Sequence, residues 1–169
     1  MPAKATAKLS PAEHAERAKN SYKQLSEAAT RLNSASDDLG EAVSVFDAAL
    51  QRLNLGVSAW VQTSGGGDEE LEWWGRYIGY SKIGKEWGIC LKEASGNYSY
   101  PDRDTEEKWR FNDAPRWMRV ESVGKIVDLF EALIKQAEDT TSKLKARAEE
   151  ALTLAGAMSE VLNEPAGQK

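Results

Sequence analysis

Few side chains in this 169-residue chain can do acid–base, nucleophilic or metal chemistry. The densest group is an acidic run, Asp102, Asp104, Glu106 and Glu107. Carboxylates of this kind offer hard oxygen ligands to a divalent cation, but the run has neither the glycine nor the spacing of an EF-hand loop. At most it predicts a loose cation site and a metal-dependent enzyme working through 102–107, the weakest reading the chain supports. The single histidine, His14, leaves no zinc quartet and has no nearby serine or cysteine to activate. The single cysteine, Cys90, sits in a strand-like run, reads as a small buried hydrophobe and cannot close an internal disulfide.

Short motifs fare no better. "SGGGDEE" at 64–70 is glycine-rich but lacks the lysine and following helix of a phosphate loop, so it reads as a flexible break in the chain. "DRDT" at 102–105 matches by letters the aspartate motif of haloacid-dehalogenase-type phosphatases. That motif follows a buried parallel strand, whereas here "NYSYP" precedes it and "EEK" follows, and the match is accidental. "NYS" at 97–99 is a glycosylation sequon on paper only. No catalytic residue, metal-ligand set or cofactor is therefore assigned.

The residues that stand out are aromatic. "WWGRYIGYSKIGKEWGI" at 73–89 packs three tryptophans, two tyrosines and four glycines into one stretch. Read with the strand period of two, Trp74, Ile78 and Tyr80 point one way, and Trp73 and Tyr77 point the other with Gly75 and Gly79. Trp87, Ile89 and Leu91 share a face of the returning strand. Glycines leave shallow hollows in a strand, where a cross-strand aromatic or a ligand can settle. Each tryptophan also supplies on the order of 200 Å² of buried area, which a small sheet needs. Most of these rings are expected to hold the sheet together; Trp73, Tyr77 and Trp87 are the candidate partner-binding residues, with one face partly open.

The elements that must position them follow from the flanks. Residues 1–9 read as a flexible lead. "SPAE" then offers Ser10 as a helix cap, Pro11 in the first turn and Glu13 to complete a capping box. From Ala18 through Tyr22, Leu25, Leu32, Leu39, Phe46 and Leu53 apolar residues step by three and four, which predicts a long helix over 10–55. Residues 56–112 change to strand period, with "KIGK" as a turn, and predict a three- to four-stranded antiparallel β-meander. Asp113 and Pro115 start a second long helix over 113–163, whose seam runs from Val120 through Phe130, Ile134, Ala137, Leu144 and Ala148 to Leu162. Residues 164–169 read as a tail. The fold class expected is α+β, a long antiparallel, coiled-coil-like helical hairpin with the small sheet inserted between its helices. Each helix would span roughly 65–70 Å. Size complementarity sets Tyr22 against Ala148, Leu32 against Ala137 and Leu39 near Phe130. Near the insert, Ile126, Leu129 and Leu133 widen the second stripe beyond a two-helix seam, which predicts docking onto the sheet head or onto another protomer.

Bulk composition narrows the partners. Hydrophobic content of 41% and charged content of 29% are those of a folded domain. A formal charge of −5 argues against nucleic acid, no run of 18 apolar residues predicts a membrane span, and the N-terminus lacks a signal-peptide core. The expectation is a cytoplasmic, non-enzymatic interaction or scaffold protein in which a helical stalk presents an aromatic β-head to a protein partner, with homo-oligomerisation through the helices possible. The alternative is a module stacking a planar or sugar-like ligand on the head aromatics. The layout of helix, β-hairpins and helix resembles that of prefoldin subunits, which are chaperone components, in architecture alone; the tryptophan-rich insert departs from it.

Overall fold

The computed structural model describes residues 10–68 and 71–163. The expected lead at 1–9 and tail at 164–169 lie outside the described residues, as do Glu69 and Glu70. The chain divides into two compact units, residues 1–42 and 43–169.

The first unit is helical. Helix α1 (Pro11–Leu53) begins in it and runs on into the second unit. The capping box is present: the Ser10 amide donates to Glu13 Oε2 at 2.7 Å, and the Glu13 amide donates to Ser10 Oγ at 3.3 Å. Hydrogen bonds from the Ser10 amide and then from the Ser10 hydroxyl hold the Glu13 carboxyl below its ordinary range. Along this unit the seam residues Tyr22 and Leu32 are 73% and 52% exposed.

The second unit holds the last turns of α1, the sheet and the remaining helices. After α1, Asn54 and Gly56 take positive φ of 46° and 64°, the left-handed conformation that ends helices. Strands β1 (Ala59–Asp68), β2 (Glu72–Ile83), β3 (Glu86–Asn97) and β4 (Thr105–Arg110) form one antiparallel sheet in the order β1-β2-β3-β4. This is the expected meander, and Gly84 turns it between β2 and β3 with φ 63°. The glycine run 65–67 does not break the chain as the sequence suggested. It belongs to β1 and pairs with Trp73, Trp74 and Gly75 of β2. The Trp74 indole lies against Gly66, where an added Cβ would come within 3.2 Å of Nε1. Cross-strand aromatic packing thus holds a stretch that propensity would leave as coil.

The second long helix also differs from expectation. Helix α2 (Arg116–Ser122) follows Pro115, a single turn of 3-10 helix at Val123–Lys125 interrupts the path, and α3 (Ile126–Asn163) continues. Gly124 sits in that turn, and Ser122 Oγ, fully buried, donates to the Met118 carbonyl at 2.6 Å. Ile126, Leu129 and Leu133 are 5%, 0% and 2% exposed, where α3 packs on β1 and β2. With Ile78, Tyr80, Ile89, Leu91 and Met118 they form the core.

The mixed α+β class, the long helices and the antiparallel sheet are present. The hairpin seam is not borne out. Leu32, expected on Ala137, is half in water, and Leu144 on α3 is 65% exposed. A heptad stripe states that a face wants an apolar partner; it does not state which one.

Candidate functional site

Strand register sorts the aromatics onto two faces. Directly paired residues of an antiparallel sheet project to the same side, and Ile78 pairs with Val61 and Leu91, while Tyr80 pairs with Ala59 and Ile89. These residues form the core face, against the helices. Trp74 and Trp117 of α2 sandwich the Arg76 guanidinium there at 4.7 and 4.4 Å, and Arg76 Nε donates to Glu93 at 3.1 Å.

The opposite face carries Trp60, Trp73, Tyr77, Lys92, Glu106 and Lys108. Each ring there lies over a glycine. A Cβ on Gly79 would stand 2.7 Å from Cζ3 of Trp60, one on Gly75 would be 2.8 Å from Cζ of Tyr77, and one on Gly96 would meet the Asp104 carboxylate first and Cε2 of Trp73 at 2.8 Å. The hollows accept one side of each ring and leave the other side outward, so all three rings are half-buried. Lys92 Nζ caps Trp60 at 4.5 Å and Tyr77 at 5.0 Å, with Lys108 5.6 Å from Trp60. Glu106 bridges the two lysines at 3.2 and 2.7 Å, and its hydrogen bonds to Lys108 and then Lys92 hold its carboxyl below the usual range. At the far end of the sheet a trough of about 810 Å³ runs past Trp73, lined also by Asp68, Ser95, Asn97 and Arg103.

The structure brings Trp73 and Tyr77 together on this face and sends Trp87 to the other. Trp87 stacks on Tyr80 with ring centroids 5.6 Å apart, and its carbonyl accepts from Gln51 Nε2 at 2.9 Å. Beside it, where β4 has ended, Asp47 Oδ1 accepts the Ile89 amide at 2.8 Å. The last turns of α1 therefore satisfy a strand edge that would otherwise present bare backbone groups. Burial raises the Asp47 carboxyl above its ordinary range, partly offset by the Ile89 amide and by Arg110, and burial together with Asp47 raises the Tyr80 phenol.

The acidic run does not converge. Glu106 and Glu107 alternate across β4, Glu106 toward the lysines and Glu107 toward the other face, while Asp104 accepts the Asn97 amide at 3.3 Å. No group of three or more His, Cys, Asp or Glu among the described residues could hold a metal ion. Cys90 is fully buried, and desolvation pushes its thiol up to about 12, so it is a poor nucleophile. No helix among the described residues is long and apolar enough to cross a membrane. Sequence reasoning missed Trp60, Lys92 and Lys108 as neighbours of Tyr77, because only strand register places them there. The alternation in "VSAWVQ" was the one local signal for Trp60.

No family model, no curated protein and no solved structure matches the chain.

Proposed function

We propose that this is a non-enzymatic interaction protein that binds a protein partner through the aromatic, lysine-capped face of its sheet, in the cytoplasm. The observation that carries the reading is the row Trp60, Tyr77 and Trp73, each ring laid over a glycine on the side of the sheet away from the helices. Rings held flat in this way lose little conformational freedom when a partner covers them, and aromatic clusters dominate interface energetics. The long helices, with their apolar seams, would serve the same scaffold role through coiled-coil contacts.

A second reading has its own support. The trough beside Trp73 combines an indole with Asn97, Ser95, Asp68 and Arg103, a mixture suited to a planar or sugar-like ligand that stacks and hydrogen-bonds.

Affinity capture from the native host with wild type, Tyr77→Ser and Trp73→Ser tests the first reading, each variant being checked for an intact melt. Loss of the same partner from both variants is expected, and capture unchanged in both refutes it. Quenching of tryptophan emission by a metabolite, abolished in Trp73→Ser, would move the assignment to the second reading.

A further inference from the structure

From Thr141 to Asn163 every residue of α3 is exposed, on all sides of the helix. A helical segment this exposed gains little from packing, and such segments are marginal alone in water. Yet it carries large apolar side chains: Leu144, Leu152, Leu154, Met158, Val161 and Leu162 are between 60% and 78% exposed. Val127 and Ile134, on the same seam nearer the sheet, are 65% and 59% exposed. Beside them lies an apolar groove of about 470 Å³ between the end of α1 and α3, walled by Phe46, Leu50, Leu53, Phe130, Leu133 and Ile134. Phe46 and Phe130 meet edge to face in it at 5.9 Å.

We infer that α3 pairs antiparallel with α3 of a second copy of this chain, about a two-fold axis near Thr141 and Leu144, so that the outer end of each α3 fills the groove of the other. This interface is separate from the aromatic sheet face and does not depend on it. Three features select a second copy in this arrangement. The first is size. Phe130 meets Ala155, Ile134 meets Ala151 and Leu144 meets Thr141, so the three bulkiest residues of the inner seam oppose smaller ones, while Val127 meets Met158, Val123 meets Leu162 and Ala137 meets Ala148. A parallel pair would instead stack Ala148, Ala151 and Ala155 on their own copies, leaving the outer seam hollow.

The second is charge. In this register Glu138 lies beside Lys145 of the second copy, and the two-fold axis repeats the pair. Sliding by one heptad in one direction sets Lys145 on Lys145 and Arg147 on Arg147. Sliding in the other sets Glu138 on Glu138. The third is the groove itself. Leu154 flanks the seam on the side that faces the groove of the opposite copy, level with Leu133, whose own side chain is buried. It would seat against Leu50 and Leu53, and symmetry fills both grooves at once.

Sedimentation velocity of the full chain should give a species of twice the chain mass at micromolar concentration. A chain that stays monomeric up to about 100 µM, or that binds anionic phosphatidylserine vesicles without self-associating, would overturn the inference. Register is read by cysteine pairing. Chains bearing Ile134→Cys and Ala151→Cys, mixed and oxidised, should cross-link to each other, whereas Ile134→Cys alone should not; a 134–134 cross-link would mean a parallel pair. Glu138→Lys or Lys145→Glu, each of which turns two exposed attractions into repulsions, should weaken the dimer about tenfold. The double variant should return to within about threefold of wild type, since the ion pair is only reversed. Failure of the double variant to recover rejects this register.

Discussion

Replacing Gly79 by alanine adds one methyl group to the aromatic face, and the structure sets the cost. The new Cβ would stand 2.7 Å from Cζ3 of Trp60 and closer still to Cε3, far inside ordinary carbon contact. The backbone on both sides is strand, held by Trp60 on one neighbour and Cys90 on the other, so the ring has to move. Lifting it in place is overpacking, which costs about 1–3 kcal/mol. Swinging it out exposes about half of an indole, roughly 100 Å², worth about 2.5 kcal/mol. It also gives up the contact with Lys92, about 0.5–1 kcal/mol at an exposed site. Against either route stands about 0.4–1 kcal/mol gained by restricting the unfolded chain. A contact this short puts overpacking toward its upper end, about 2–3 kcal/mol, so the net loss is about 1–2.6 kcal/mol, which lowers Tm by roughly 2–10 °C for a chain of this size.

Urea unfolding followed by tryptophan emission measures the loss, with Gly124→Ala as control, because an added Cβ there meets nothing within 4 Å. Gly124→Ala should be neutral or slightly stabilising. In a Trp60→Ala background Gly79→Ala should also become neutral, because the ring it displaces is gone. If Gly79→Ala matches the control, or costs as much without Trp60 as with it, the glycine-hollow account of this face is wrong.

Other expectations follow from the same geometry. Asp47→Ala leaves the Ile89 amide without its acceptor and should cost about 1–3 kcal/mol, whereas Asp47→Asn keeps an acceptor oxygen and should stay near wild type. Because burial raises the folded-state pKa of Asp47, its charge penalises the fold above that pKa and the penalty fades as pH falls through it toward the ordinary carboxylate range. Any advantage of Asp47→Asn in urea midpoints at pH 7 should therefore shrink by pH 4. Glu106 has the opposite sign: its pKa is lowered by Lys108 and Lys92, so its contribution is present above the ordinary carboxylate pKa and is lost as pH falls through the folded value, a dependence Glu106→Gln should remove. Leu129→Asp places an unpaired charge at a fully buried site and should abolish the cooperative melt. Leu144→Asp, at a 65% exposed site, should leave the melt of the sheet unit intact and dissociate the dimer in sedimentation.

Local chemistry in the sequence was enough for the elements. Ser10 and Glu13 announced the cap of α1, Gly84 the turn between β2 and β3, and the period-two split of 73–80 separated the Trp73 face from the Trp74 face as strand pairing does. The stripe Ile126, Leu129 and Leu133 signalled that α3 needed a neighbour besides a seam, and the sheet is the neighbour it has. These features depend on residues within one or two turns of one another, so a single chain segment carries them. What tertiary structure decided was which distant segments meet. Gly65–Gly67 became strand because Trp73 and Trp74 pair across from it. Lys92 and Lys108 came to the aromatic face through register, Trp87 left it for Tyr80, and the acidic run was dispersed because Asp102 and Asp104 lie before β4 while the strand turns Glu106 and Glu107 to opposite sides. The seams of α1 and α3 show the limit most clearly. Apolar periodicity specifies a face to be covered, but the covering surface is a long-range choice made by geometry and loop-closure entropy, and no local pattern encodes it.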